Sequence, residues 1–369
     1  RQYQSLGLAS LIRAPNAKRD TLNRRAWHLN RALAWTVSPG DLQNAIEALD
    51  AAGQPIRPRA NFAPHAARQI FKDQERRSVL SCTLDGPGQK FILDLLSEQV
   101  DRLGRQNVNE GAVLVLENKT GAVRAYVSYS RQPDRVGHVD GVRAKRQAGS
   151  TLKPFLYAAA LDEKILTAAS ILDDSPLDVA VLSGIYQPEN YDSSFRGPVS
   201  ARVALASSLN VPAVRVLSLI GTDSFLGRLH ALGIRGLDES GDYYGLSLAL
   251  GSADVSLWEL TDAYRTLANA GTWSEAHLTL VTTGNPIPKR SVFSAQASFI
   301  ISDILSDRIA RSATFGLENP LATRFWTAVK TGTSKDMRDN WCLGFSNRFT
   351  VGVWVGNFSG EPMWNVSGI

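Results

Sequence analysis

The 369-residue chain contains two cysteines, two methionines and five histidines, and each scarcity removes a class of chemistry. Cys82 and Cys342 lie far apart with no metal-ligand spacing, so they read as two buried thiols, with a disulfide left open. His28, His65, His138, His230 and His277 are scattered and read as ordinary polar residues, and no metal site is expected. No apolar run approaches the roughly 20 residues that cross a bilayer. The chain has no His-Glu-x-x-His, no phosphate-cradling glycine-rich loop, no Gly-x-Ser-x-Gly elbow and no Cys-x-x-Cys. Internal repeats and low-complexity tracts are missing as well. No initiator methionine or signal peptide opens the chain, which is expected to begin inside a longer protein. The formal net charge of +5 rests on scattered arginines, not on a stripe. That distribution argues against nucleic acid as a partner and leaves room for an anionic polymer.

What is present is 44% apolar residues, enough for real cores in two or three domains. Residues 1–36 read as helical, with Leu6, Leu8, Leu11, Ile12, Leu22, Trp27, Leu29 and Leu33 as the apolar positions. Ser38-Pro39-Gly40-Asp41 starts a second helix, with serine as cap, proline at the first helical position and an acid in the first turn. Gly53-Gln-Pro-Ile-Arg-Pro58 and Pro64 break the chain, marking a linker at about 53–65. A strand is expected at 79–84 and a helix at 89–103, whose Phe91, Ile92, Leu95, Leu96 and Val100 share one side. The clearest hairpin joins 112–116 to 123–128 through the turn Asn118-Lys-Thr-Gly121. Residues 150–310 read as mostly helical, and strands return at 325–333, 341–345 and 349–355. The pattern is α+β: sheet, long helical insertion, sheet again. The two sheet portions should pair, because neither is wide enough to cover a core alone.

The rest of the chain is organised around Gln147-Ala-Gly-Ser-Thr-Leu-Lys-Pro-Phe-Leu-Tyr157. Ser150 and Lys153 are three apart, so on a helix they share a face. Pro154 is tolerable only in a first turn, which places Ser150 at a helix start, beside N–H donors and the positive end of the helix dipole. That is the geometry of an activated nucleophile, although a capping serine followed by a solvated lysine reads the same way locally. Of ten lysines only Lys153 has a serine three positions before it. A second pair is Ser208 and Asn210, expected in the loop before a helix that Pro212 opens; plain helix caps are the alternative. The third element is Lys330-Thr331-Gly332-Thr333, where Gly332 is expected to let a substrate backbone approach a strand edge. Lys119-Thr120-Gly121 repeats three of those residues at a hairpin tip, and is read as a structural turn.

Ser-x-x-Lys, Ser-x-Asn and Lys-Thr-Gly, weak singly and strong in this order, resemble the motif set of penicillin-binding proteins and serine β-lactamases. Pro188-Glu-Asn-Tyr-Asp192, Ala204 to Ala213 and Val353-Trp-Val-Gly356 narrow the resemblance to class A, bifunctional penicillin-binding proteins. Gly137-His-Val-Asp-Gly141 and the run from Lys330 to Trp341 point to one branch of that family. The resemblance implies the transpeptidase fold, a central antiparallel sheet flanked by helices with a large helical subdomain inserted. It implies a transpeptidase domain at 77–369, a linker region at 37–76, and at 1–36 the tail of a glycosyltransferase domain whose catalytic acid would lie upstream. Ser150 would be the nucleophile, Lys153 its base, Ser208 a proton relay and Asn210 a holder of Lys153 and substrate. Lys330, Thr331, Gly332 and Thr333 would bind the terminal carboxylate of a stem peptide ending in D-Ala-D-Ala, or a β-lactam. The implied enzyme needs no metal or organic cofactor and faces the periplasm, its inner-membrane anchor lying outside this chain. Other cell-wall synthesis proteins remain open as partners.

Three rival activities share the motifs. A β-lactamase needs a second base for the deacylating water, and Leu209 stands where such enzymes carry Asp; Glu189 is the one remaining candidate. A D,D-carboxypeptidase would pass the acyl group to water. A catalytically silent binding module would keep the fold without turnover, although Ser150, Lys153 and Lys330 are all present.

Overall fold

The structure is a computed structural model that describes residues 19–32, 36–51, 62–72, 80–181, 184–280, 286–366 and 368. Leu6, Leu8, Leu11, Ile12 and Leu33, and the 53–61 part of the expected linker, lie outside the described residues. The chain divides into two compact units, Arg1–Asn61 and Phe62–Ile369. The first holds helices α1 (Arg19–Ala32) and α2 (Pro39–Ala51). Ser38 starts α2 as its sequence predicts, accepting the Asp41 N–H on Oγ at 3.1 Å.

The second unit is built on five strands: β1 (Glu110–Glu117), β2 (Val123–Ser130), β3 (Ala328–Thr333), β4 (Asp339–Phe345) and β5 (Phe349–Gly356). They form one antiparallel sheet in the order β3-β4-β5-β1-β2. β1 pairs with β5 from Glu110↔Gly356 to Glu117↔Phe349, so the two sequence-distant sheet portions join along their full length. Alternation decides the faces. Thr350, Gly352, Trp354 and Gly356 point into the core, while Phe349, Val351, Val353 and Val355 are half-buried on the other side.

Helices cover both faces. Helix α3 (Pro64–Lys72) and helix α4 (Gly86–Arg102) precede the sheet, and Asp85 caps α4 by accepting the Gly88 N–H at 3.1 Å. Leu96 and Val100 of α4 pack with Val113 and Val127 on the outer face. The larger core lies on the opposite face, under α5 (Lys153–Asp162), α6 (Ala201–Ala206), α7 (Asn210–Ile220), α8 (Leu257–Ala268), α9 (Ala295–Ser306) and α10 (Arg308–Phe315). Every residue of α5 from Lys153 to Ala160 is buried, so this helix is a central strut and not an amphipathic surface element. The α+β architecture expected from the pattern is the one observed.

Three local expectations shift. Residues 80–84 form no strand; their backbone meets the rest of the fold at an isolated bridge between Cys82 and Thr279, because the Asp85 cap turns the chain into α4 at once. Strand β3 begins at Ala328, leaving Phe325 and Trp326 exposed ahead of it. Cys82 and Cys342 are free and half-buried, so the open disulfide does not form.

Sheet and α8 approach closely at Gly352, where a Cβ would lie 2.1 Å from Thr261 Oγ1 and 2.8 Å from Leu257 Cδ1. Overpacking of this kind typically costs about 1–3 kcal/mol. Gly352→Ala is therefore expected to lower the urea midpoint of the protein with the m-value unchanged; an unaltered midpoint would contradict this packing.

Candidate active site

The chain enters the site through Arg146 and Gln147, turns through a 3₁₀ segment Gly149–Leu152, and only then starts α5 at Lys153. Ser150 thus sits one turn ahead of the α-helix, not on its first residue. The cap positions are Ala148 and Leu152, and neither uses the Ser150 hydroxyl, which removes the plain-cap alternative. Four hydrogen bonds clamp the turn. Gly149 N–H donates to the Gly251 carbonyl (3.1 Å) and Ala148 N–H to the Ala253 carbonyl (3.0 Å). Trp341 Nε1 on β4 donates to the Gln147 carbonyl (2.9 Å), and Tyr264 on α8 donates its hydroxyl hydrogen to the Thr151 carbonyl (2.8 Å). Gly251, at φ +78°, must be glycine twice over, since a Cβ there would fall 1.9 Å from the Gly149 carbonyl oxygen.

Lys153 is fully buried, and its Nζ donates to the Ser208 carbonyl at 2.7 Å and to Asn210 Oδ1 at 2.6 Å. A neutral amine has two N–H bonds and one lone pair. With both N–H bonds engaged, the lone pair is the only feature left to meet a proton from Ser150, one helical turn back. Burial drives the Lys153 pKa well below the usual lysine value; the neighbouring Lys330 charge adds to this, and Asp174 opposes it. Lys330 projects from β3, donating to Ser208 Oγ at 2.8 Å and to its neighbour Thr331's carbonyl at 2.7 Å. Its pKa falls to about 7, mainly through burial, with Cys342 opposing and Arg311 assisting.

Ser208 has φ +60°, a left-handed conformation that costs a non-glycine residue on the order of 1 kcal/mol. It closes α6 as the Leu209 N–H donates to the Ala204 carbonyl and the Ser208 N–H to the Leu205 carbonyl. Glycine is the usual occupant of such a closing position. A serine there presents its carbonyl to Lys153 and its hydroxyl to Lys330 in one residue. Asn210 lies in the first turn of α7, one step beyond the loop expected for it, with Leu209 as the cap. Its Oδ1 holds Lys153, while its Nδ2 donates to the Glu189 carbonyl at 2.7 Å.

Ser208 and Asn210 line a cavity of about 530 Å³ together with Ser150, Tyr191, Phe315, Thr331, Gly332 and Thr333, and the two buried lysines stand behind that lining. Among the described residues, no carboxylate and no imidazole lines it. The Glu189 side chain is exposed and turned to Ser193, so Glu189 reaches the site through its carbonyl alone. Thr331 opens onto the cavity, and the Thr333 hydroxyl donates to Asn340 Oδ1 at 2.8 Å. Gly332 has a reason the sequence did not suggest: a Cβ there would meet Thr151 Cγ2 at 2.6 Å and the Ala148 carbonyl oxygen at 3.1 Å. The glycine lets β3 lie against the Ser150 turn. Lys119 to Gly121, the second Lys-Thr-Gly, is a hairpin tip with Gly121 at φ +79°. Two groups went unnoticed in the sequence, the buried Asp174 and Asn190 that stand behind Asn210.

The chain matches the family described as the penicillin binding protein transpeptidase domain over residues 111–355. It is 34% identical to penicillin-binding protein 1C of Escherichia coli over 83% of this chain and 38% of that protein. It is 33% identical to penicillin-binding protein 1F of Bacillus subtilis over 75% of this chain and 39% of that protein. The chain therefore spans about two fifths of the curated relatives it matches. Among solved structures, penicillin-binding protein 1A of Haemophilus influenzae aligns with a TM-score of 0.59 at 25% identity, covering 70% of this chain and 45% of that one. PonA1 of Mycobacterium tuberculosis aligns with a TM-score of 0.67 at 21% identity over 82% of this chain and 86% of that one.

The two buried lysines make stability depend on pH. Unfolding returns Lys330 from about 7 to its ordinary 10.5, so between those values the unfolded chain binds a proton that the folded chain does not. Stability should rise with pH across that window and fall as pH drops towards 7. Lys330→Met should flatten the rise and stabilise the protein near pH 7, as chemical denaturation between pH 7 and 10 would report; an identical pH slope in parent and variant would contradict the buried, proton-poor lysine.

Proposed function

The chain belongs to the penicillin-binding protein transpeptidase family, and on that premise we propose that it is the transfer domain of a class A, bifunctional member. In this reading it is a D,D-transpeptidase that cross-links peptidoglycan stem peptides through a Ser150 acyl-enzyme, and β-lactams acylate the same serine. The observation that carries the reading is the pocket: Ser150, Ser208 and Asn210 line it with both buried lysines bonded behind them, and no lining side chain is built to activate water.

Ser150 Oγ attacks the carbonyl of the penultimate D-Ala as its proton passes to the Lys153 lone pair. The developing oxyanion is held by backbone N–H groups, for which those of Ser150 and Thr333 are the candidates; one such donor is typically worth about 3–4 kcal/mol. The C–N bond then breaks. The leaving amine takes its proton from the Ser208 hydroxyl, which Lys330 replenishes across their 2.8 Å hydrogen bond. In the second half, the amine of another stem peptide attacks the ester and passes a proton through Ser208 back to the now neutral Lys330, while Ser150 leaves and regains its own proton from Lys153. One amide is exchanged for another, with no redox change. Lys330, Thr331, Gly332 and Thr333 suit the terminal carboxylate, whose negative charge also favours the protonated form of Lys330.

The absence of a lining carboxylate supports transfer over β-lactamase action, since a long-lived acyl-enzyme awaits an amine. On the same reading, residues 1–36 are the tail of a glycosyltransferase domain, 37–76 a linker region and 77–369 the transfer domain, facing the periplasm. Among the described residues no helix is long and apolar enough to cross a membrane, and the inner-membrane anchor is assigned to a segment outside this chain. Glycan polymerisation is not expected of residues 1–369.

Intact-protein mass after incubation with penicillin V tests this. The parent should carry a stable adduct that Ser150→Ala abolishes. Turnover without an adduct would point to a hydrolase. A folded parent with neither adduct nor turnover would favour the silent binding module.

A further inference from the structure

Behind Asn210 the hydrogen bonds lead to a carboxylate that the transfer steps leave unused. Asp174 ends the strand Ile171–Asp174, is fully buried, and has no ion-pair partner among the described residues. An uncompensated buried carboxylate is costly, and here hydrogen bonds supply the compensation. Asn190 Nδ2 donates to both Asp174 oxygens at 2.9 Å, and the Arg196 N–H donates at 3.0 Å. A carboxylate only accepts, so it dictates which end of the Asn190 amide faces it. The other end, Oδ1, is thereby presented to the Asn210 N–H at 2.7 Å. From the same loop, the Glu189 carbonyl takes the Asn210 amide hydrogen at 2.7 Å, leaving Asn210 Oδ1 to face Lys153 Nζ at 2.6 Å.

We propose that Asp174 is a positioning residue for acyl transfer: through Asn190 it sets the 187–194 loop and the orientation of Asn210, and so aims the Lys153 lone pair at Ser150. It touches neither Ser150 nor the cavity and acts only through its partners. The assignment rests on the transfer reading above. The bland alternative is that Asp174 merely staples a surface loop, and pH separates the two. The charged and titratable groups facing Lys153 are Lys330 from β3 and Asp174; those facing Asp174 are Lys153, Tyr157 from α5 and Arg196 from its own loop. Lys330 in turn faces Arg311 of α10 and Cys342 of β4. Among the described residues, Asp174 is the negative charge that opposes proton loss from Lys153. Removing it should let Lys153 lose its proton at lower pH.

The experiment follows acylation of the parent, Asp174→Asn and Asn190→Ala by penicillin V from pH 4 to 9 (a range chosen to bracket neutrality, with intact mass as the readout) and Ser150→Ala as control. Asp174→Asn keeps the shape and one acceptor, so the acid limb of its acylation profile should move to lower pH. Asn190→Ala cuts the link, and its acylation rate at saturating penicillin V should drop roughly 10–100-fold, with non-covalent affinity nearly unchanged. Should Asp174→Asn fail to fold, Asn190→Ala still carries the test at the next link. Folded variants that keep the parent's profile and a rate within about twofold would overturn the positioning role. A parent with no Ser150-dependent adduct would instead refute the transfer reading itself.

Discussion

The constraint on which this site depends is the burial of Lys153 with two hydrogen-bond acceptors and, among the described residues, no ion-pair partner. A charged ammonium has three N–H bonds to place; this pocket accommodates two. The group is buried and a second lysine stands nearby, and both shift the balance towards the neutral amine relative to an ordinary lysine. The fold bears a cost for this. Lowering Lys330 from 10.5 to about 7 amounts to on the order of 5 kcal/mol, at about 1.4 kcal/mol for each factor of ten in proton affinity. That is comparable to the whole net stability of an ordinary domain, about 5–15 kcal/mol. The large two-faced core around the sheet is what offsets it, and α5 is the element through which core and chemistry meet: seven of its first eight residues pack, and the other is Lys153.

Rigidity follows from where the pieces are anchored. The Ser150 turn is tied to β4, α8 and the 251–253 segment, and β3 lies against it at Gly332. The Ser208 side of the cleft belongs instead to the helical insertion, held by the end of α6 and the start of α7. The cavity lies where these two layers meet, so helices and sheet must both be correctly placed before Lys153 and Lys330 can share Ser208.

Sequence spacing exposed the candidate site groups because each is carried by a short local pattern: Ser150 with Lys153, Ser208 with Asn210, and Lys330 to Thr333. The hairpin and the final strands were legible for a similar reason, since alternation and turn residues are local. Burial and long-range partners are not. Asp174 and Asn190 are 16 residues apart, and Asn210 is 20 further on. Nothing in their neighbourhood announces that a loop aspartate is buried and a loop asparagine is oriented by it. Gly332 was read as a close approach for substrate, and the long-range packing adds a second requirement, since a Cβ there would meet Thr151 and Ala148. The left-handed Ser208 was also invisible, because a serine in that conformation is chosen by tertiary context against its own preference. Residues 80–84 formed no strand because an alternating pattern needs a partner edge, and among the described residues their one bridge is Cys82 to Thr279.

The claim that supports everything else is that burial makes Lys153 give up its proton far more readily than an ordinary lysine. It can be measured without substrate, by ¹³Cε and ¹⁵Nζ NMR titration of lysine-labelled protein, with Lys153 assigned by comparison to Lys153→Arg. The account predicts a Lys153 signal whose titration midpoint lies well below the ordinary lysine value. A midpoint near 10.5, with the ammonium form present at pH 7, would contradict it.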